Sequence, residues 1–90
     1  MNKKKICVVG GGQWGENHIR TLNSLGCLYG VVEKDKKTLS RLKSIYPDIS
    51  YFNKIEDALK NKFDGFVVAT PAETHYTISK KIIESNFHVL

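Results

Sequence analysis

No apolar run in this 90-residue chain approaches the roughly 20 residues needed to cross a bilayer. The apolar stretch behind the basic start is only Ile6 to Val9, too short for the core of a signal peptide. The chain is therefore read as cytoplasmic. Cysteine is scarce: Cys7 and Cys27 form no CxxC pair and stand near no histidine cluster, so no metal site is expected. Each lies in an apolar stretch that reads as a strand, which points to reduced core thiols rather than a disulfide. Repeats, low-complexity segments and linkers are absent. With a length of 90 residues, this leaves room for one small domain and not two.

Charge is not scarce. Fourteen Lys and Arg against nine Asp and Glu give a net charge of +5, with short basic runs at Lys3–Lys5 and Lys34–Lys37, the latter broken by Asp35. No helix-turn-helix, zinc finger or aromatic RNA platform accompanies this charge, so a nucleic-acid partner is not expected. A solvated surface that favours an anionic ligand accounts for it.

The apolar pattern alternates between two periods. Ile6 to Val9 is a short buried strand stopped by three glycines. Trp14, His18, Leu22 and Leu25 then recur at helical spacing, and Gly26 closes that helix. Cys27 to Val32 reads as a second strand ending at Glu33. Thr38 to Tyr46 is helical, with Leu39, Leu42 and Ile45 on one face and Pro47 as its stop. Ile49 to Tyr51 is a short third strand, Ile55 to Leu59 a short helix, and Phe66 to Ala69 a fourth strand. Thr70-Pro71-Ala72-Glu73 has the form of a capping box with proline at the first helical position. Ile78, Ile82 and Ile83 mark the helix that follows, to about Ser85. Phe87 to Leu90 begins a fifth strand. Strands that are continuously apolar and alternate with helices predict a doubly wound α/β fold, a parallel sheet in the order 3-2-1-4-5.

Between the first strand and first helix stands Gly10-Gly11-Gly12-Gln13-Trp14-Gly15. Gly10, Gly12 and Gly15 match GxGxxG in the strand–turn–helix context that makes this pattern informative. Gly10 permits the tight turn, Gly12 lets the backbone approach a pyrophosphate, and Gly15 lets the helix pack closely. The helix N-terminus adds N–H groups and a partial positive charge. Rival loops fit less well. A Walker A loop needs Lys and Ser or Thr where Glu16 and Asn17 stand, a kinase loop joins antiparallel strands, and a GxGxG methyltransferase loop needs glycine in place of Trp14. Glu33 closes the second strand where an acid accepts hydrogen bonds from the adenosine ribose hydroxyls. A carboxylate there repels a 2′-phosphate, so NAD is expected in preference to NADP, with Lys34, Lys36 and Lys37 softening the preference.

With the glycine loop continuing as Glu16-Asn17-His18, with Glu33, and with Ala69-Thr70-Pro71-Ala72-Glu73-Thr74-His75, the chain resembles the N-terminal Rossmann domain of the glucose–fructose oxidoreductase / inositol dehydrogenase (Gfo/Idh/MocA) family. The resemblance covers essentially all 90 residues. The Trp-Gly-x-Asn loop and the Ala-Thr-Pro-Ala-Glu-Thr-His stretch look most like the members that oxidise nucleotide-linked sugars at C3, such as UDP-N-acetylglucosamine or its uronate. The resemblance implies that Gly12, Gln13 and Trp14 wrap the pyrophosphate and Glu33 holds the ribose. It also implies that Thr70 and Pro71 run along the cofactor toward the nicotinamide, with His75 near that end. His75 also reads as a helix-start residue packing locally, and His18 as a packing residue. The implied function is reversible hydride transfer between NAD and a sugar hydroxyl. A non-catalytic Rossmann module that senses a nucleotide or mediates assembly is the alternative.

The family continues past the fifth strand into a Glu-Lys-Pro motif, whose lysine assists catalysis, and then a substrate domain. Neither is present up to Leu90, so the chain reads as a fragment with no catalytic residues of its own. It is expected to bind a cofactor without dehydrogenase activity and, with apolar surface exposed, to self-associate.

Overall fold

The four apolar runs become the strands β1 (Ile6–Val9), β2 (Leu28–Val32), β3 (Ser50–Phe52) and β4 (Gly65–Val68), and the helical patterns become α1 (Gln13–Ser24), α2 (Lys36–Ile45), α3 (Ile55–Ala58) and α4 (Ala72–Glu84). The computed structural model describes residues 4–10, 12–70 and 72–85. All pairings are parallel and the sheet order is β3-β2-β1-β4, as the alternation predicts. The expected fifth strand, Phe87–Leu90, lies outside the described residues.

Side chains alternate along each strand, so the sheet builds two separate apolar layers. Cys7, Val9, Val32, Phe66 and Val68 pack against Ile55 and Ala58 of α3 and Ile82 of α4. On the other face Val8, Leu28 and Val31 pack against Ile19 of α1 and Leu42 of α2. Helices on both faces make the sheet doubly wound. The first layer is extended by an aromatic chain in which Phe63 meets Phe52 and Phe66 edge-to-face at 6.2 and 5.5 Å. Gly30 is glycine because of this chain. A Cβ there would stand 2.6 Å from the Phe63 ring and 3.3 Å from Cys7 Sγ.

Helix ends follow local chemistry. α1 closes on Gly26 at φ 73°, with Cys27 N–H donating to the Leu22 carbonyl and Gly26 N–H to that of Asn23, a Schellman motif. This corrects the reading of Cys27. Its N–H is committed to the helix end, the strand begins one residue later, and its free thiol is only half-buried while that of Cys7 is buried. The inward stripe of α1 is also rotated from the expected one. Gly15 and Ile19 are buried and Leu22 is half-buried, whereas His18 is exposed and Leu25 is 58% exposed. Positions 15, 19 and 22 share one helix face, and 18 and 25 fall beside it. Likewise Ile45 and Ile83 are exposed, and Leu42 and Ile82 carry the burial of their helices.

α2 begins on Asp35, whose carboxylate accepts from the N–H of Thr38 at 3.2 Å and from its hydroxyl at 2.6 Å. It ends under Tyr51 of β3, whose hydroxyl donates toward the carbonyls of Leu42 and Tyr46, at 2.9 and 2.7 Å. The Leu42 carbonyl also takes the Tyr46 N–H at 2.8 Å, so it is the Tyr46 carbonyl at the helix end that gains a donor from the neighbouring strand.

Candidate nucleotide-binding site

In this strand order the chain winds outward from β1 to β3 and then crosses back to β4. The two directions diverge beyond the carboxyl ends of β1 and β4, where a crevice must open. A cleft of about 430 Å³ lies there. Its floor is Val9, Gly10 and Gly12 from the β1–α1 turn. One wall is Val32, Glu33 and Lys34 after β2, continued by the Asn53–Glu56 segment, and the other is Ala69, Thr70, Thr74 and Ile78.

The three motif glycines have three different reasons, and each is visible. Gly10 has φ 102°, in the left-handed region, and a Cβ there would stand 2.9 Å from the Ala69 carbonyl oxygen. A Cβ on Gly15 would fall onto the carbonyl of Gly10, so α1 sits against the turn only because this residue has no side chain. Gly12 differs from both. Its backbone is extended, at φ −74° and ψ −164°, and a Cβ there would meet nothing within 4 Å. Nothing within the described protein asks for glycine at position 12. The space a side chain would fill is open, and Gly12 itself lines the cleft.

Two further features of the cleft lack an internal explanation. The first turn of α1 receives no side-chain cap, because Gly12 occupies the N-cap position. Thr70 Oγ1 is buried and has no hydrogen-bond partner among the described residues. That corrects the expected capping box: the Thr70 hydroxyl does not cap α4, and its methyl group lies beside Gly10, 3.3 Å from where a Cβ would be. An open cradle at Gly12, uncapped N–H groups and an orphaned hydroxyl fit a ligand that brings anionic oxygens and hydrogen-bonding groups.

Glu33 is held at both ends. Its N–H donates to the Phe52 carbonyl of β3 at 2.9 Å, and its carboxylate accepts from the N–H of Asp35 at 2.8 Å. Glu16, in the first turn of α1, pairs with Arg41 of α2 at 2.9 Å. Glu56, on the cleft wall, pairs with Lys81 of α4 at 2.8 Å, and that ion pair holds its carboxyl below the usual range.

The structure thus brings Gly10, Gly12, Glu33 and Thr70 to one cleft, with Gly15 directly behind Gly10. Gln13 and Trp14 form the first turn of α1, and the roles expected of their side chains fall outside the described part, as does Pro71. His75 is exposed on α4 and does not line the cleft; its neighbour Thr74 does. Sequence reasoning missed Asn53, Lys54, Thr74 and the cleft-facing role of Ile55 and Ile78. No motif marks the first two, which reach the cleft because β3 runs parallel to β2. Thr74 and Ile78 are four apart on α4 and face the cleft together, a signal that was present but was absorbed into the core reading. Among the described residues no group of three or more His, Cys, Asp or Glu is placed to hold a metal ion. No helix among them is long and apolar enough to cross a membrane.

A glycine turn at the switch point of a doubly wound sheet, with an acid at the end of the second strand, defines a dinucleotide-binding domain. Residues 4–90 match the oxidoreductase family with an NAD-binding Rossmann fold (Gfo/Idh/MocA), and the chain belongs to that family. Its cofactor is NAD. A comparison with curated proteins gives no match. Among solved structures the chain is similar to GenD2 from gentamicin A biosynthesis in complex with NAD, at 27% identity and TM-score 0.89 over 99% of this chain and 26% of that one. It is similar to the WlbA dehydrogenase of Chromobacterium violaceum in complex with NADH and UDP-GlcNAcA, at 25% identity and TM-score 0.89, over 99% of this chain and 27% of that one. The UDP-N-acetylglucosamine 3-dehydrogenase GnnA of Acidithiobacillus ferrooxidans shares the fold at 19% identity and TM-score 0.86, over 99% of this chain and 28% of that one. The chain therefore spans about a quarter of the length of these proteins.

Proposed function

We propose that this chain is the cofactor-holding part of a cytoplasmic dehydrogenase that oxidises a hydroxyl of a nucleotide-linked sugar, with NAD preferred to NADP. The observation that carries the cofactor assignment is Gly12, a glycine with no internal reason to be one, in the same cleft as Glu33 and the orphaned hydroxyl of Thr70. In this reading Gly10, Gly12 and the first turn of α1, with Gln13 and Trp14, hold the pyrophosphate. Glu33 accepts from the ribose hydroxyls. Ile55 and Ile78 give apolar walls to the adenosine end. Thr70, with Pro71 and His75 beyond it, lies toward the nicotinamide half.

The nicotinamide, when bound, supplies the hydride-accepting chemistry. The chain's own residues bind and orient. The nucleotide-sugar assignment draws support from the WlbA dehydrogenase bound to UDP-GlcNAcA, of whose length this chain covers 27%. Sugar oxidation also needs a base to take the hydroxyl proton and a pocket to hold the sugar carbon in place. We place both outside these 90 residues. Calorimetric titration with NAD, followed by absorbance measurement of NADH formation with UDP-N-acetylglucosamine, its uronate and inositol, tests both parts. Binding without turnover is the expected result. Absence of NAD binding overturns the cofactor site, and turnover by the chain alone overturns the placement of catalysis beyond it.

A further inference from the structure

Glu33 stands at the tip of a strand, where a glutamate with three rotatable bonds has many solvated conformers. Its carboxylate is nonetheless tied down by the N–H of Asp35, two residues on, at 2.8 Å. Asp35 itself has the extended backbone of an N-cap residue, φ −81° and ψ 115°. This backbone is in turn held by the Asp35 side chain, which caps α2 through the Thr38 N–H at 3.2 Å and the Thr38 hydroxyl at 2.6 Å. The Asp35 carbonyl accepts from Leu39 N–H at 3.0 Å, and α2 is anchored by the fully buried Leu42. A continuous set of bonds therefore runs from the core, through the start of α2, to the Glu33 carboxylate on the cleft wall.

We propose that Asp35 and Thr38 are positioning residues for Glu33, and that the N-terminal cap of α2 sets the preference for NAD over NADP. The proposal rests on the ribose-binding reading of Glu33. Lys34 lines the same cleft, and Lys36 and Lys37 follow in the first turn of α2, exposed. With the cap intact, the carboxylate is presented and Lys36 and Lys37 are carried away on the helix. With the cap removed, the turn relaxes, the carboxylate is released, and lysine ammonium groups gain access to a 2′-phosphate. Asp35 acts without touching the cofactor.

The test is calorimetric titration of the full chain with NAD and with NADP, for the wild type, Asp35→Ala, Asp35→Asn, Thr38→Val, Glu33→Gln and the Glu33→Gln/Asp35→Ala double variant. Asp35→Ala is expected to lower NAD affinity roughly fivefold, the size of a lost cap, while NADP affinity holds or rises. Asp35→Asn, which keeps the capping oxygen but not the charge, restores NAD affinity. In the Glu33→Gln background Asp35→Ala costs no further NAD affinity. Thermal stability falls alike in both backgrounds, so the NAD-to-NADP ratio is the readout that a purely structural cap would leave unmoved. Equal losses for NAD and NADP, or an equal loss in both backgrounds, overturn the proposal. A cost at Glu33 with none at Asp35 overturns the positioning alone. No cost at Glu33 itself overturns the ribose reading and the positioning with it.

Discussion

The carboxylate of Glu33 accepts a 2.8 Å hydrogen bond from the backbone N–H of Asp35, so the acid at the end of β2 is oriented before any ligand arrives. An oriented acceptor loses less entropy on binding than a free one. Glu33→Ala should weaken NAD binding by about 1–3 kcal/mol, a lost charge-assisted hydrogen bond. It should leave NADP binding unchanged or improved, because the repulsion of the 2′-phosphate goes with the carboxylate. Calorimetric titration with both cofactors checks this, and equal or tighter NADP binding by the wild type would contradict the assignment.

Two glycines of the same loop should fail in opposite ways. Gly12→Val places its side chain in open space beside the cleft, so the far-ultraviolet circular dichroism and thermal midpoint should match the wild type while NAD binding is lost. Gly15→Ala drives a methyl group into the Gly10 carbonyl and should destabilise the fold by about 3 kcal/mol or more, as overpacking against rigid backbone does. Normal NAD binding by the valine variant would mean that the pyrophosphate does not cross this loop.

Tyr51→Phe removes the hydroxyl that reaches both Leu42 and Tyr46 carbonyls. The expected cost is about 1 kcal/mol in denaturant unfolding, since the Tyr46 carbonyl loses this donor while that of Leu42 keeps the Tyr46 N–H. Burial, with Tyr46 nearby, pushes the Tyr51 phenol up to about 12. A folded value above the unfolded one means that this contribution is whole below about pH 10 and declines as pH rises from there to the folded value. A spectrophotometric titration should resolve one late phenol, and Tyr51→Phe should delete it.

Acid should act through the start of α2. The Thr38 hydroxyl and N–H hold the Asp35 carboxyl below its usual range, and Lys81 does the same for Glu56. Both folded values are depressed, so their contribution is present above the unfolded values of about 4 and is lost as pH falls through the lowered ones. Carbon-detected NMR titration should give both midpoints below those of model peptides. Thr38→Val should move the Asp35 midpoint back up and leave that of Glu56 in place.

β1, β2 and β4 were legible as mostly apolar runs between turn residues, and their alternation with helices gave the parallel order. The glycine loop was legible because three separate constraints fall on three spaced positions. Helix faces were read less well. In α1 the stripe through Trp14, His18 and Leu25 scores as apolar or aromatic, but Ile19 carries the contact, and an alternative one step round the helix differs by only a few residues. The far wall of the cleft was not legible at all. Asn53 and Lys54 belong to no motif, and their place depends on a parallel pairing of β2 with β3 whose register no local signal announces. Thr70 misled for a physical reason: a threonine three residues before a glutamate has the form of a helix cap, but here its methyl group lies beside Gly10 and its hydroxyl is buried without a partner among the described residues.

Cys7 lies at the centre of β1 between both neighbouring strands, fully buried, and burial raises its thiol far above the ordinary range. A thiol that is neither exposed nor ionised does not react with alkylating reagents. Labelling at Cys7 can proceed only when β1 separates from its neighbours, whereas half-buried Cys27 at the end of α1 can be reached by fraying of a single turn. The chain thus carries its own pair of clocks, one timing the opening of the whole sheet and the other the loosening of a helix end. Their difference under a mild reagent would report, without any added probe, whether cofactor in the cleft steadies the entire domain or only its rim.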